Sequence, residues 1–360
     1  MCYYSHMSFI KAFADDYHKI LCPDYPSWLD EYINLPVLQH LEGIGLLCGT
    51  DWTSLYSNRF FYSRLDHSIG TALITWNFTK DKKQTLASLF HDVSTSVFSH
   101  VNDFRKGDAL KQEESESETS NMLTFDPQLA FLLARDSINV CEIRNYHIYP
   151  LCDSPVPHLC ADRLEYMFPS NMSLGNMITG KVWTMEEVEK MYNSITVLKN
   201  EDGREELGFT DIKMAELYTQ GFIDCGLLLQ KNENKLALNM LGKIVNIALD
   251  EKLITEQDCF TFSEKRMINL FDEYALKNDT YLSALIKKWR TMTSIEHLEY
   301  DPGPSYYTVN LDVKKRWIDP LVRQRDGSAA RISKVSAEAY KMIQDFLSYK
   351  DTAFGAVKIL

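Results

Sequence analysis

The spacing of apolar residues constrains the fold of this chain more than any other feature of its sequence. Four segments place leucine, isoleucine and valine three or four positions apart, which is typical of helices with one buried face. These segments are residues 34–48, 84–90, 212–228 and 235–254. Prolines stand chiefly between such segments, where residues that break helices are expected. The periodicity therefore predicts a mostly α-helical body.

Near residue 295 the helical spacing of apolar residues gives way to short segments typical of strands. Residues 306–309 and 331–333 flank a polar turn at residues 325–328, and this arrangement predicts strands. Residues 336–349 return to helical spacing and predict a closing helix. We therefore predict a mostly α fold with a small mixed α/β subdomain at the C terminus. The expected divisions are a helical lead-in (1–33), a helical domain (34–294) and the C-terminal subdomain (295–360).

Composition excludes several classes of protein. Lys and Arg number 38 against 50 Asp and Glu, so the net charge of −12 argues against a protein that coats nucleic acid. A local basic pocket for a nucleotide remains compatible with that charge. The 8 cysteines form no CxxC pair, which is typical of reduced thiols. No apolar stretch approaches the ~18–20 residues that span a bilayer, and no signal peptide is recognisable. We expect a cytoplasmic protein without a membrane partner, with a solvated acidic segment at residues 106–121.

One ordered set of histidines and carboxylates carries the chemistry. His67, the adjacent pair His91 and Asp92, and Asp162 lie in three segments that are expected to be helical. Two imidazoles and two carboxylates can converge on one divalent cation and leave positions open for water and substrate. Such an ion polarises a phosphoryl oxygen and lowers the pKa of bound water to ~7–9. A single histidine on an apolar helix is more often a core residue, so the ordered set is what favours a metal site.

Two arginines accompany these residues. Arg64 lies three positions before His67, and Arg163 follows Asp162 directly. If residues 64–67 are helical, Arg64 and His67 share one face. The planar guanidinium group suits bidentate contact with phosphate oxygens beside a metal. The alternative for each arginine is a salt bridge on an acidic protein.

Several segments resemble the motifs of one known family. Residues 35–45 resemble "LPxLQRLRxIxQLG", residues 61–70 resemble "xTRFEHSLG", residues 91–100 resemble "HDxGHGPFSH", residues 162–166 resemble "DRLDY", and residues 313–322 with 331–333 resemble "KxRxIDP…RxS". The family is that of the HD-domain metal-dependent phosphohydrolases. The closer likeness is to their deoxynucleoside triphosphate triphosphohydrolase branch, which includes the animal enzyme that pairs a SAM with an HD domain. The likeness runs over residues 34–349, without a SAM domain, and implies an HD-domain helical core.

The resemblance implies roles for individual residues. The implied metal ligands are His67, His91, Asp92 and Asp162, and the implied cofactor is a divalent metal ion (Mn, Fe, Zn, Ni, Co or Mg). The implied phosphate-binding residues are Arg64 and Arg163, and Tyr166 would line the sugar pocket. His100 is the implied general acid for the leaving group, with Asp103 orienting it. The implied partners are a small nucleotide or phosphate-ester substrate and further copies of the chain in a homo-oligomer.

The chain also departs from the family pattern. Thr95 and Ser115 stand where the resembling enzymes have histidines near the scissile phosphate. Residues 167–170 replace the family's "LLRD" and lose an aspartate that contacts the sugar, and residues 232–235 match its "YxHK" only weakly. The metal ligands are therefore retained, whereas much of the nucleotide-binding pocket is changed.

The leading hypothesis is a metal-dependent phosphohydrolase that acts on a nucleotide or related phosphate ester through a metal-bound water. The alternative is a catalytically weakened HD-fold protein that binds metal or nucleotide as a sensor or assembly subunit. Retention of the four ligands favours the enzyme, and loss of the two histidines favours the alternative. Metal-assisted oxidation at a dinuclear centre would need further histidines. His158, four residues before Asp162, is a candidate extra ligand, although a supporting role fits it better.

Overall fold

The computed structural model describes residues 13–107 and 118–359. Within these residues the chain is mostly helical with a strand-containing C-terminal region, which confirms the predicted fold class. Ser115 and most of the acidic segment 106–121 lie outside the described residues. No helix in the described ranges has both the length and the apolar character needed to cross a lipid bilayer.

The helices run in order along the chain. In the first half they are α1 (13–21), α2 (Leu29–Ile33), α3 (Pro36–Gln39), α4 (Arg64–Thr79), α5 (Lys82–Phe90), α6 (Val101–Lys106), α7 (Thr119–Phe125), α8 (Pro127–Arg135) and α9 (Ala161–Ile178). In the second half they are α10 (Met185–Tyr192), α11 (Ile212–Gln230), α12 (Asn232–Asp250), α13 (Glu256–Thr261), α14 (Glu264–Lys277), α15 (Tyr281–Thr291), α16 (Ile332–Val335) and α17 (Ala337–Ser348). Short 3₁₀ turns occur at His40–Gly43, Thr50–Trp52, Val140–Glu142 and Tyr146–Ile148.

The helix predicted over residues 34–48 is wrong beyond residue 43. Only α3 and the 3₁₀ turn His40–Gly43 are helical there. The next residues pair with the segment before α4, because Leu46 N–H donates to the Tyr62 carbonyl (2.9 Å) and Arg64 N–H donates to the Ile44 carbonyl (2.8 Å). These long-range backbone hydrogen bonds replace the helical ones. The other three predicted segments correspond to α5, α11 and α12.

Helix α4 begins at a capping box. Asp66 N–H donates to Ser63 Oγ (3.0 Å), and Ser63 N–H donates to the Asp66 carboxylate (3.4 Å). This cap fixes the first turn, so Arg64 and His67 lie one turn apart on the same helix. Helix α4 packs against both α5 and α9, and α9 packs in turn against α11. A large hydrophobic core surrounds these four helices, and a second core lies against α12, α14 and α15.

Within the described residues, seven strands form two small sheets. The strands are β1 (Ile195–Lys199), β2 (Glu205–Phe209), β3 (Glu296–Leu298), β4 (Tyr306–Val309), β5 (Leu321–Arg323), β6 (Ala329–Arg331) and β7 (Phe354–Lys358). One sheet has the order β1-β2-β5-β6, with only the β2–β5 pair parallel. The other has the order β3-β7-β4 and is antiparallel.

The strands differ in part from the sequence prediction. The strand at 306–309 and the closing helix, α17, are present as predicted. The strand predicted at 331–333 is displaced, because β6 ends at Arg331 and α16 begins at Ile332. The β1–β2 hairpin was not predicted and lies within the region expected to be helical. Strand β5 of the C-terminal tail pairs with β2 of this hairpin, and β6 pairs with β5, so the tail is joined to the helical body by backbone hydrogen bonds.

A buried ion pair reinforces that junction. Arg331, at the end of β6, donates to both carboxylate oxygens of Glu206 on β2 (2.6 and 3.0 Å). Only 1% of the Glu206 side chain is exposed. Arg331 also donates to the more exposed Glu201 (2.7 and 3.0 Å). A bidentate contact of this kind fixes the orientation of β6 as well as its distance from β2.

Arg331→Met is expected to lower the free energy of unfolding by about 3–5 kcal/mol, because it leaves the Glu206 carboxylate buried without its cation. Urea denaturation followed by tryptophan fluorescence measures the change. The double variant Arg331→Met/Glu206→Met should regain most of the loss, since both charges are then absent. Glu201→Gln is the matched control and should cost less than about 1 kcal/mol. An unchanged denaturation midpoint in Arg331→Met would contradict the assigned role.

Candidate metal centre

Three helices bring the predicted metal ligands together. His67 lies in α4, His91 and Asp92 directly follow α5, and Asp162 lies in the first turn of α9. His67 Nε2 is 3.2 Å from His91 Nε2 and 3.1 Å from Asp162 Oδ1. His91 Nε2 is 3.6 Å from the same oxygen. The three side chains form a cluster compact enough to share one metal ion.

Asp92 borders this cluster and also contacts Arg64. Its Oδ2 atom is 3.7 Å from His67 Nε2 and 3.6 Å from His91 Nε2. The same oxygen accepts a 2.5 Å hydrogen bond from Arg64 Nη1. Burial alone would raise the pKa of Asp92, but the charge of Arg64 and the two imidazoles keeps that pKa well below its ordinary value. Asp92 is therefore an ionised carboxylate at the edge of the cluster.

The hydrogen bonds of the two histidines leave their Nε2 atoms free to bind a metal. His91 Nδ1 lies 2.7 Å from the Ser88 carbonyl oxygen, which can only accept, so Nδ1 carries the proton. His67 Nδ1 lies 2.5 Å from the Glu165 carboxylate, which requires the same arrangement. Carboxylates and backbone carbonyls commonly fix metal-binding histidines in this way.

Gly70 gives Glu165 the space it needs. A Cβ atom on Gly70 would lie 2.6 Å from Glu165 Oε1, so a larger residue in α4 would collide with the carboxylate on α9. Tyr62 donates its hydroxyl proton to the same oxygen at 2.7 Å. The Glu165 side chain is completely buried. The close packing of α4 and α9 therefore holds the carboxylate that orients His67.

The electrostatics of the cluster favour a cation. Burial would lower the pKa of His67, but the charges of Glu165 and Asp162 overcome that effect and raise it to about 10. Burial would raise the pKa of Asp162, but hydrogen bonds with His67 and His91 hold it well below its ordinary value. The carboxylates around the histidines thus stabilise positive charge at this point, whether as a proton or as a metal ion.

This donor set fits a divalent metal ion. Two Nε2 atoms with their lone pairs directed at one another repel unless a proton or a cation lies between them, and two ionised carboxylates supply the balancing charge. Imidazole ligands suit Fe, Ni and Zn better than Mg, which prefers oxygen ligands. His67, His91 and Asp162 would hold such an ion, with Asp92 at the adjoining position.

Arg64, Arg163 and Tyr166 lie near the cluster but have different hydrogen-bond partners. Arg64 is buried and donates from Nε to Ser99 Oγ (2.7 Å) in addition to Asp92. Arg163 instead faces the loop before α9, where Nη1 donates to the His158 carbonyl (3.0 Å). The Tyr166 ring lies 6.3 Å from the His67 ring, and its buried hydroxyl has no hydrogen-bond partner among the described residues.

His100 and Asp103 form a pair at the start of α6. His100 Nδ1 is 2.8 Å from Asp103 Oδ2, and Asp103 is completely buried. Arg316, from the C-terminal region, lies 3.2 Å from His100 Nε2. Burial lowers the pKa of His100, and the nearby guanidinium groups of Arg316 and Arg64 act in the same direction. His100 is therefore neutral at pH 7 in this arrangement.

The positions that depart from the family pattern are only partly visible. Thr95 is buried and its N–H donates to the Asp92 carbonyl (2.9 Å), so it supports the turn that follows α5. Ser115 lies outside the described residues. His158 Nδ1 lies 3.9 Å from Glu206, and this histidine is outside the group of residues that could share a metal ion with Asp162.

Sequence reasoning missed the roles of Glu165 and Arg316. Glu165 lies three residues after Asp162, so helical spacing alone places both carboxylates on one face of α9. That signal was available and would have identified a partner for a ligand histidine. Arg316 lies more than 200 residues from His100, and no local spacing in the sequence connects the two.

The double variant His91→Ala/Asp92→Ala is expected to lose its bound divalent metal, because it removes one nitrogen ligand and one carboxylate. Metal content measured by mass spectrometry tests this, with circular dichroism as a control for folding. Metal affinity of the unaltered protein should fall at acid pH, since protons compete for the imidazoles. Unchanged metal content in the double variant would rule out the site.

Glu165→Gln is expected to weaken metal binding by about 10–100-fold, because the amide no longer balances the charge on the ligand His67. Isothermal titration with Zn²⁺ measures the change. Glu186→Gln, an exposed position on α10, is the matched control and should bind as the unaltered chain does. Equal affinities for all three proteins would show that Glu165 has only a packing role.

No family model matches this sequence. The chain is 26% identical over 167 residues to the metal-dependent phosphohydrolase cns2 of Cordyceps militaris, an alignment that spans 46% of this chain and 45% of the fungal protein. The part of this chain that matches cns2 therefore spans less than half the length of the fungal protein. The chain is 24% identical over 329 residues to the uncharacterized protein YdhJ of Bacillus subtilis, which covers 87% of this chain and 91% of the bacterial protein.

Solved structures share the fold over nearly the whole chain. A phosphohydrolase from Bacteroides thetaiotaomicron superposes with a TM-score of 0.60 at 15% identity, over 92% of this chain and 96% of that one. A hypothetical protein from Aquifex aeolicus superposes with a TM-score of 0.54 at 12% identity, over 91% of each chain. The chain thus has the fold of a known phosphohydrolase, and part of its sequence is similar to that of a metal-dependent phosphohydrolase.

Proposed function

We propose that this chain is a metal-dependent hydrolase of phosphate esters or anhydrides, with a nucleotide as its substrate. The observation that carries the proposal is the meeting of two metal-competent histidines and two carboxylates beside the buried Arg64. A bound cation and a guanidinium group complement the negative charge of a phosphate group. The similarity to a metal-dependent phosphohydrolase supports the same class of reaction.

In this proposal the candidate metal ligands and Arg64 have separate roles. His67, His91 and the two aspartates would hold a divalent cation, which would supply Lewis acidity towards a phosphoryl oxygen. Arg64 binds phosphate and stabilises the charge that develops in the transition state. Because Arg64 also donates to Asp92, it couples the position of the phosphate to that of a metal ligand.

His100 is the general acid in this proposal. Asp103 accepts the Nδ1 proton, so Nε2, the atom beside Arg316, is the one that can carry a transferable proton. A protonated His100 can give its Nε2 proton to the oxygen of the leaving group. Thr95, in the place of a family histidine, has a hydroxyl that does not titrate near neutral pH, so His100 carries this role without that neighbour.

A nucleotide is favoured as the substrate by the surroundings of the metal cluster. The buried Tyr166 hydroxyl, which has no partner among residues 13–107 and 118–359, offers a hydrogen bond to a sugar hydroxyl close to His67. Arg163 would bind phosphate only after it leaves the His158 carbonyl and Asp153, which lies 3.6 Å from its Nη2. We therefore propose Arg64 as the principal phosphate-binding arginine and Arg163 as a secondary one.

The second candidate is a weakened relative that binds metal or nucleotide without turnover. The replacement of a pocket histidine by the buried Thr95 favours it. The intact His100–Asp103 pair favours the enzyme, because a sensor has no need of an oriented proton donor. The two candidates differ in one measurable property, which is phosphate release.

The deciding experiment incubates the metal-loaded protein with nucleoside mono-, di- and triphosphates and with phosphomonoesters, following both phosphate and triphosphate release. We expect hydrolysis of a modified nucleotide or of an ester with a good leaving group. The four common deoxynucleoside triphosphates should be poor substrates, since loss of one acid–base group costs ~10²–10⁴-fold in rate. Binding without any turnover would establish the second candidate instead.

His100→Gln is expected to lower kcat by ~10²–10⁴-fold while leaving the metal content unchanged, because glutamine keeps the hydrogen-bonding shape but cannot donate a proton as an acid. Steady-state kinetics on the best substrate measures this. The exposed His297 on β3, which lies 3.0 Å from Glu233, supplies the matched control His297→Gln with unaltered kcat. A fully active His100→Gln variant would exclude His100 as the acid.

A further inference from the structure

Arg316 lies beside the candidate general acid, although it belongs to a distant part of the chain. Its Nη2 atom is 3.2 Å from His100 Nε2. The guanidinium group can only donate, so His100 Nε2 accepts this hydrogen bond and carries no proton. The Nδ1 proton of His100 points to Asp103, 2.8 Å away. In this state His100 has no proton to give to a leaving group.

The backbone on both sides of Arg316 is held in place. Lys315 Nζ donates to the carbonyl oxygens of Leu347 (2.5 Å) and Tyr349 (3.0 Å) at the end of α17. Gln230 Nε2 donates to the Lys314 carbonyl (3.1 Å), and Asp319 N–H donates to the Pro157 carbonyl (2.9 Å). These contacts fix the segment, so that the position of Arg316 over His100 is set by the fold.

Gly226 on α11 allows the segment to approach this closely. A Cβ atom at Gly226 would lie 3.1 Å from the Arg316 carbonyl oxygen and 3.0 Å from the Phe346 ring. The residue facing this backbone therefore has to be small. The site of the helical domain is completed by a residue from the C-terminal region, which reaches it between α11 and α17.

Several charged or titratable groups surround His100. They are Asp103 on its own helix, Arg64 on α4, Arg316 from the C-terminal region and Cys48 from the segment before α4. The two guanidinium groups oppose protonation of His100, and the Asp103 carboxylate favours it. A phosphate dianion placed between Arg64 and Arg316 would neutralise the opposing charges and leave the favourable one.

We propose that Arg316 binds the substrate phosphate and keeps His100 unprotonated until that phosphate is present. The proposal rests on the phosphohydrolase function proposed above. When phosphate binds, Arg316 turns from His100 Nε2 to a phosphate oxygen, and His100 takes one proton from solvent. The bond from phosphorus to the leaving oxygen then breaks as water forms the new P–O bond. His100 gives its proton to the leaving oxygen, and the proton released by the water returns to solvent.

The proposal is tested first by NMR of histidine-labelled protein loaded with diamagnetic Zn²⁺. The His100 signal is identified by its loss in His100→Gln. We expect inorganic phosphate to raise the pKa of His100 in the unaltered protein. Arg316→Met should raise that pKa without phosphate, because a positive charge is removed, and should reduce the further rise with phosphate. Equal pKa values and equal phosphate responses in the two proteins would overturn the proposal.

Kinetics on the best substrate gives a second test. Arg316→Met should raise KM by roughly ten- to a hundredfold, the loss expected for a charge-assisted contact with phosphate. Arg316→Lys keeps the charge and should recover part of the loss. Arg323→Met is the matched control, since this exposed arginine of β5 donates to Thr196 Oγ1 (3.1 Å) away from the site. An unaltered KM in Arg316→Met would overturn the proposal.

The two proposals fail in different ways. If the protein hydrolyses no phosphate compound, the proposed function fails, and the NMR response of His100 to phosphate still decides whether Arg316 binds phosphate. If hydrolysis is found but neither the His100 pKa nor KM depends on Arg316, only the inference about Arg316 fails.

Discussion

The hydrogen bond between Glu165 and His67 is the interaction on which the candidate site depends. It joins α4 to α9 across a distance that only a glycine at position 70 allows. It also fixes the tautomer of His67, so that Nε2 faces His91 and Asp162. A buried carboxylate is costly unless it is fully hydrogen-bonded, and here Tyr62 and His67 each satisfy one of its oxygens. The same contact thus serves packing and metal binding.

Charged side chains of opposite sign surround the Glu165–His67 pair in succession. The carboxylates of Asp92 and Asp162 compensate a cation at the histidines, and Arg64 compensates Asp92. Arg64 in turn repels a proton on His100, as does Arg316. Charges of opposite sign therefore alternate from the histidines to Arg64, and the phosphate proposed to bind between Arg64 and Arg316 would extend this alternation. Burial and these two guanidinium groups together lower the pKa of His100, so the imidazole is neutral at pH 7.

The small sheets contribute to the site through the C-terminal tail. Strand β2 of the hairpin pairs with β5 of the tail, and the Arg331–Glu206 ion pair links β6 to β2 within the same sheet. Arg316 lies in the segment that leads into β5. Anchoring of the tail therefore holds Arg316 beside His100 of the helical body.

The sequence by itself determined the helical class and pointed to the ordered set of candidate metal ligands, because helical periodicity and short motifs are local properties. His67, His91, Asp92 and Asp162 were identified from motif order alone, and the structure brings them together. Only the tertiary structure decided that Arg163 faces the loop before α9, that a hairpin receives the tail, and that Arg316 reaches His100. The orientation of Arg163 depends on the path of the loop directly before α9. The other two features depend on contacts between distant segments, which are fixed by packing and charge in three dimensions and leave no periodic signal in the chain.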